Sequence, residues 1–329
     1  KLIEQVEKGE VLSPRIYTSA PSLNGNSVKS KEEARRKVTQ YKKDGYDFLK
    51  MHPGLSLENF NEIVKTANEV GIEFSGHIST AVGIRHSIDS KYASIDHLDG
   101  FVEGLVPESE GVHPDSNGFF GINFTDKVDL SLLPELVQKT KENNVWLVPT
   151  HCLMPHIVGP IDVNYLSGLP EMKYVPSNTR FQWRQVKSQV LNDPNYDPKI
   201  ADEFLEVRDK ILKAMHDGGV GILLGSDAPQ IFNVPGFSIQ HEMKAMVNAG
   251  LSPLDVLRTG TLNPAKFFNH ENTFGKMQKG HSANLILLNE NPLDDISNMS
   301  KIEGVMVRGK WLSKENIEKR LSLIAKKYE

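Results

Sequence analysis

Cysteine is nearly absent. Cys152 is the only one in 329 residues, and one cysteine forms neither an intrachain disulfide nor a cysteine-cluster metal site. Long apolar runs are missing as well. None approaches the roughly 18 residues that a membrane-spanning helix needs, so no transmembrane helix is expected. Charge excess of either sign is lacking: 38 basic residues face 42 acidic ones, a net of −4. That balance is too mild to mark nucleic acid or an anionic membrane as a partner. No Gly-x-Ser-x-Gly elbow surrounds Ser226, which disfavours a serine hydrolase. The glycines around Val220 precede a strand pattern and do not join a strand to a helix, so no phosphate-cradling loop is expected there. The chain also begins Lys-Leu-Ile-Glu-Gln, without Met or leader, which reads as the start of a fragment and leaves the compartment open. The remainder, 39% hydrophobic and 24% charged, has the composition of a globular chain. Its length suits two domains, or one large α/β domain with an appendage.

Short β-branched or aromatic runs alternate with helical patterns. Strands are predicted at Arg15–Ala20, Tyr46–His52, Ile72–Ile78, Ser94–Leu98, Val145–Thr150 and Val220–Gly225. Between them lie helix signals. Ser30 opens a capping box with Glu33, Ser56 caps a helix that stops at Gly71, and Ala201–Asp217 places Phe204, Val207, Ile211, Leu212 and Met215 on one face. Such alternation indicates βαβ units and a parallel sheet. Two long segments rich in Pro, Gly and Asn, Val102–Thr125 and Cys152–Lys199, are predicted as functional or mobile loops. The second holds Phe181–Arg184 in a helical stretch and reads as a lid. After Asn272 short strands are expected at Gly275–Gly280, Asn284–Leu288, Gly304–Arg308 and Gly309–Leu312, followed by an amphipathic helix over Ser313–Tyr328. The expected divisions are therefore 1–272, 273–312 and 313–329.

In parallel α/β folds chemistry sits at the carboxyl ends of the strands. Five of the six predicted strands deliver a His, Lys or Asp there: Lys50, His77, His97, His151 and Asp227. Singly, each has a bland reading as a hydrogen-bonded, snorkelling or turn residue. Together they match the ligand chemistry of zinc-like divalent ions. A lysine joins such a set when its neutral amine adds carbon dioxide and becomes a carbamate, in effect a long carboxylate. His52, two residues past Lys50, reads equally as a site residue or a loop histidine. Gln240 and His241 read as packing or capping residues.

These residues resemble the amidohydrolase superfamily of metal-dependent (β/α)₈-barrel hydrolases, in particular its imidazolonepropionase-like and dipeptidase-like branch. The resemblance rests on Asp47-Phe48-Leu49-Lys50, Gly76-His77, Ser94-Ile95-Asp96-His97, Gly225-Ser226-Asp227-Ala228, Gly236–Met243, Thr261–Lys266 and Gly280–Asn289. It covers about residues 1–312. It implies an α/β, TIM-like barrel of which strands 3–8 are present, with part of a small β-sandwich after it. It implies Lys50 as a carboxylated bridging lysine and His77 and His97 as ligands of one metal. Asp227 is implied as a ligand of the other metal and as general base. His151, from its place after the Val145–Thr150 strand, reads as a residue that binds substrate or polarises the scissile carbonyl. The implied activity is hydrolysis of an amide, cyclic amide or dipeptide C–N bond by a metal-activated water. Zinc leads, with manganese, iron or cobalt as further options. The implied partner is a small molecule or dipeptide, and a homo-oligomer is allowed.

One motif of the family is missing. No two of the eleven histidines stand two residues apart, so the His-x-His that ends the family's first strand is absent. A barrel without adjacent strands has open edges and an exposed core and is expected to be unstable alone, and without His-x-His the isolated chain is expected to lack half of its first metal site. The competing expectation is therefore a catalytically incomplete fragment with a binding or assembly role. A mononuclear, deaminase-type site is a third reading, weakened by the same absence.

Overall fold

The computed structural model describes residues 2–328. In chain order the helices and strands are α1 (Leu2–Glu7), α2 (Lys31–Lys43), β1 (Phe48–Met51), α3 (Leu57–Val70), β2 (Glu73–Gly76), α4 (Ile84–Asp89), β3 (Ser94–Asp96), α5 (Phe101–Gly104), α6 (Leu133–Glu142), β4 (Trp146–Val148) and α7 (Leu153–Ile157). There follow α8 (Val163–Ser167), α9 (Ser177–Leu191), α10 (Pro198–Asp217), α11 (Ser238–Asn248), α12 (Pro253–Thr259), α13 (Leu262–Phe267), β5 (Leu285–Leu288), β6 (Ile302–Val307), β7 (Lys310–Ser313) and α14 (Lys314–Tyr328). Among the described residues no helix is long and apolar enough to cross a membrane.

The chain divides into two compact units. One holds Tyr17–Pro149 and Glu206–Ile222. Its centre is a parallel sheet in the order β1-β2-β3-β4. Leu49, Met51, Phe74, Ile95 and Leu147 are its buried hydrophobic residues, and Phe60, Ile63 and Ala67 of α3 are buried as well. Burial of such side chains contributes roughly 1.5–3 kcal/mol each. The helix ends follow their sequence signals. The Ser30 hydroxyl accepts the Glu33 N–H at 3.2 Å, and the Glu33 carboxylate accepts the Lys29 N–H at 2.9 Å. Ser56 caps α3, which ends on left-handed Gly71 (φ 68°).

The two flanking strands predicted for this sheet are shortened to bridges. Ser19 pairs with Phe48 and Leu23 with Met51. Ala20 and Leu23 donate to the carbonyls of Phe48 and Lys50, but Pro21 between them has no N–H to give, so the ladder breaks. On the far side, among the described residues, only Ile222 pairs, with Leu147. Gly221 there lies against the Trp146 ring, where a Cβ would come within 2.4 Å.

The other unit holds the N-terminal segment through Ile16, Thr150–Leu205, and the chain from Leu223 onward. The Leu224 N–H turns to the carbonyl of Thr259, which ends the predicted Val220–Gly225 strand. Cys152–Lys199 is largely helical (α7, α8, a 3₁₀ turn at Pro170–Tyr174, and α9) and is not the loop expected. Its prolines and glycines punctuate short helices; Asp162, for example, caps α8 by accepting the N–H groups of Asn164 and Tyr165. Phe181–Arg184 lie within α9 as expected. A separate antiparallel sheet, β5-β6-β7, precedes α14. Gly275–Gly280 is not a strand: Gly275 and Gly280 take φ of 91° and 93°, which breaks an extended run.

Candidate active site

The ends of β1, β2 and β3 bring Lys50, His77 and His97 together. The rings of His77 and His97 lie 4.7 Å apart, and His52 stacks edge-on against His77, also at 4.7 Å. The backbone forces this convergence. Gly76 (φ 130°) comes so close to β1 that a Cβ would meet the Met51 carbonyl oxygen at 2.2 Å, and the next N–H, of His77, donates to that same carbonyl at 3.0 Å. His97 and Leu98 both adopt positive φ (60° and 52°), and His97 N–H donates to Val148 of β4. The strand thus turns sharply at the histidine.

Two carboxylates stand behind this set: Asp96, which stood in the Ser94–His97 tract without a role, and Asp99, which sequence reasoning missed. Asp99 Oδ2 pairs with His77 Nδ1 at 3.1 Å and accepts the Ile78 N–H at 3.0 Å. Asp96 Oδ2 pairs with Lys50 Nζ at 2.5 Å. Tyr92, buried below, donates its hydroxyl to the His77 carbonyl at 3.1 Å. Burial, followed by the neighbouring His77, Lys50 and Arg208, holds His97 well below the usual imidazole range, so it is neutral near pH 7. His52 is lowered in the same sense by partial burial and by His77 and Lys50.

This donor chemistry fits a zinc-class ion. Neutral imidazole is the form that ligates, and the Asp99–His77 pair engages Nδ1, as a carboxylate does behind a ligating imidazole. Among the described residues no group of three or more His, Cys, Asp or Glu is arranged to hold a metal. The strand-end set is accordingly two imidazoles and an amine, with His52 beside them.

His151 and Asp227 belong to the other unit. His151 is buried at the start of α7, beside fully buried Glu242 of α11. Glu242 accepts the backbone N–H groups of His151 and of Cys152, the latter at 2.7 Å. Burial raises its pKa, against the pull of His151 and those donors. Asp227 is exposed and takes φ 55°. The residue before it, Ser226, is tied down: its carbonyl accepts from Asn233 Nδ2 at 2.6 Å, and its hydroxyl meets that of Ser238 at 2.8 Å. Asn233, wholly buried, also meets His156 Nδ1 at 2.9 Å through its Oδ1. His156 is pushed down to about 4, chiefly by burial. His241, expected as packing or capping, pairs instead through Nε2 with Glu171 at 2.6 Å. The signal for Glu242 was present in the Gly236–Met243 tract; Asn233 carried none.

A sequence profile of the amidohydrolase family matches residues 1–312. The chain belongs to the amidohydrolase family. No curated protein matches the sequence itself. Among solved structures, this amidohydrolase chain is similar to a bottromycin amidohydrolase, with 19% identity and a TM-score of 0.75 over 99% of this chain and 71% of that one. It is similar to a prolidase from Bifidobacterium longum, with 21% identity and a TM-score of 0.65 over 98% and 73%. A Xaa-Pro dipeptidase with methionine bound in its active site is 18% identical, with a TM-score of 0.61 over 95% and 71%. These likenesses make the fold α/β and TIM-barrel-like, with a separate antiparallel sheet, as the sequence led one to expect.

Proposed function

We propose that this amidohydrolase is a metal-dependent enzyme that hydrolyses a C–N bond in a small amide, cyclic amide or dipeptide. The observation that carries the reading is the convergence of Lys50, His77 and His97 on three neighbouring strand ends, with Asp99 behind His77. Solved structures with a dipeptidase's bound methionine and a prolidase's N-methylphosphonate-L-proline support a small substrate. Residues 1–272 would form the barrel portion, 273–312 part of the sandwich, and 313–329 a terminal helix.

In this reading His77 and His97 would hold the ion, and Lys50, freed from Asp96, would take up carbon dioxide with loss of a proton and offer the resulting carbamate oxygens as further donors. When bound, a divalent ion lowers the pKa of water to near neutrality. Asp99 keeps His77 in one tautomer and orientation. Asp227, whose role rests on the sequence resemblance alone, would serve as a ligand and as the general base that carries a proton from water to the leaving amine. His151 contacts the substrate carbonyl. Zinc is the leading metal.

A second reading is favoured by one observation: no pair of histidines is spaced two apart. Under it the chain binds metal weakly or not at all and serves a binding or assembly role, the barrel being completed from elsewhere. Metal content after dialysis with zinc and bicarbonate, paired with hydrolysis of an Xaa-Pro dipeptide panel, separates the two. About one or more ions per chain together with turnover supports the hydrolase. Less metal than that, unaffected by bicarbonate and without turnover, sinks it.

A further inference from the structure

Directly over the paired histidines lies an aromatic side chain that the proposed chemistry does not use. The Phe120 ring is 5.6 Å from the ring of His97 and 5.9 Å from that of His77. Phe119 packs edge-on against it at 4.6 Å and is 42% exposed. Together they form an apolar shelf that begins at the candidate ligands and runs out to the surface of the unit.

The shelf is held in place at the cost of backbone strain. Phe120 sits in the left-handed region (φ 53°, ψ 34°), between Gly118 at φ 71° and Gly121 at φ 84°. A bulky residue adopts that conformation only where its surroundings impose it, and such sites concentrate at ligand contacts. The surroundings are visible. Asn117 Nδ2 donates to half-buried Glu103 at 2.6 Å, Asn123 N–H donates to the Asn117 carbonyl at 3.0 Å, and Thr80 donates to Asp115 at 3.1 Å. Gly121 sits so close to Val102 and Glu103 that a Cβ would meet both within 2.9 Å. The two rings are therefore presented by a fastened loop. A ring that served only to shield the histidines would not need an exposed aromatic partner extending it outward.

Resting on the hydrolase reading above, we propose that Phe119 and Phe120 select the substrate. The amide or peptide cleaved here carries a bulky apolar side chain beside the reacting bond, and that side chain lies on the two rings. The rings discriminate by the apolar area they cover, and a polar or cationic side chain gains little from them.

The test measures binding of four probes to the intact chain by calorimetry: the N-acetyl amides of phenylalanine, leucine, serine and lysine. The phenylalanine and leucine probes are expected to bind at least about tenfold more tightly than the serine and lysine probes. Phe120→Gly removes the ring and relieves the backbone, so it should fold and shrink that ratio to within roughly threefold. Phe119→Ala, at an exposed position, should reduce it in part. Equal affinities, a preference for the lysine probe, no binding of any probe, or a preference that survives both substitutions would overturn the shelf. Hydrolysis of the same probes by zinc-treated protein is scored separately. Cleavage without selectivity sinks the shelf and leaves the hydrolase standing; selective binding without cleavage upholds the shelf and counts against the hydrolase.

Discussion

Asp99 performs two tasks with one oxygen: it engages His77 Nδ1 and accepts the Ile78 N–H that follows. Asp99→Asn keeps the size and removes the charge. Zinc affinity is expected to fall about 10- to 100-fold, as for other partners of ligating histidines; competition against a chromophoric chelator measures it. Gly76→Ala tests the strand approach. A Cβ 2.2 Å from the Met51 carbonyl, at φ 130°, is not accommodated, and a loss of at least about 3 kcal/mol is expected in urea unfolding. Glu242→Leu leaves the N–H groups of His151 and Cys152 buried and unpaired, for a further loss of roughly 2–4 kcal/mol. At this scale the sequence was partly legible. Lys50, His77 and His97 announce themselves because they follow apolar runs at equivalent positions. Asp99 and Phe120 do not, since their importance comes from turns at positive φ after β3 and within the following loop, which no periodicity records.

Helix signals were the most legible of the elements, because capping is local chemistry: Ser30, Ser56 and Gly71 act where they stand. Strands were less so. Pro21, just past the predicted strand, interrupts one ladder through its own missing N–H, and the Leu224–Thr259 bond, made with a partner distant in sequence, diverts another. The segment from Cys152 to Lys199 was misread because its breakers separate helices instead of marking an unstructured loop. One consequence concerns how α9 is fastened to α7. Lys187 of α9 is wholly buried and donates to the carbonyls of Pro155, Ile157 and Gly159, the last two at and beyond the end of α7. Burial lowers its pKa to about 8 from the ordinary 10.5. Between these values the unfolded chain binds a proton that the folded chain does not, so this lysine's contribution to stability rises with pH across that window. Below pH 8 both states are charged and the contribution is flat. Urea unfolding of the wild type minus Lys187→Met, followed from pH 7 to 10.5, should show a difference that is level and then climbs. A difference that falls across that range would contradict it.

For the whole molecule, the alternation of strands and helices made the α/β class readable, and the family match extends over residues 1–312. The interleaving of the two compact units was not readable, because it depends on which distant segments meet. If the strand-end set holds zinc, adding the ion to 100 times its dissociation constant stabilises the folded chain by about 2.7 kcal/mol. Calorimetry should then show a higher melting temperature, reversed by a chelator; an unmoved transition counts against the metal. The edge strand β5 exposes Leu285, Ile286 and Leu287, a template for pairing with another chain. Ile286→Lys should lower the light scattering of concentrated solutions.

Asn233 joins the carbonyl of Ser226 to the ring of His156 through its two ends. The residue next to Asp227 and the helix that follows His151 are thus mechanically tied to each other. A substitution that shifts α7 pulls on the neighbour of Asp227, and one that reshapes the Ser226 turn pushes back on α7. Natural variation in either stretch should therefore be accepted mainly in matched pairs, and a mutagenesis library aimed at new substrates would do better to vary Phe119 and Phe120, whose loop is fastened elsewhere.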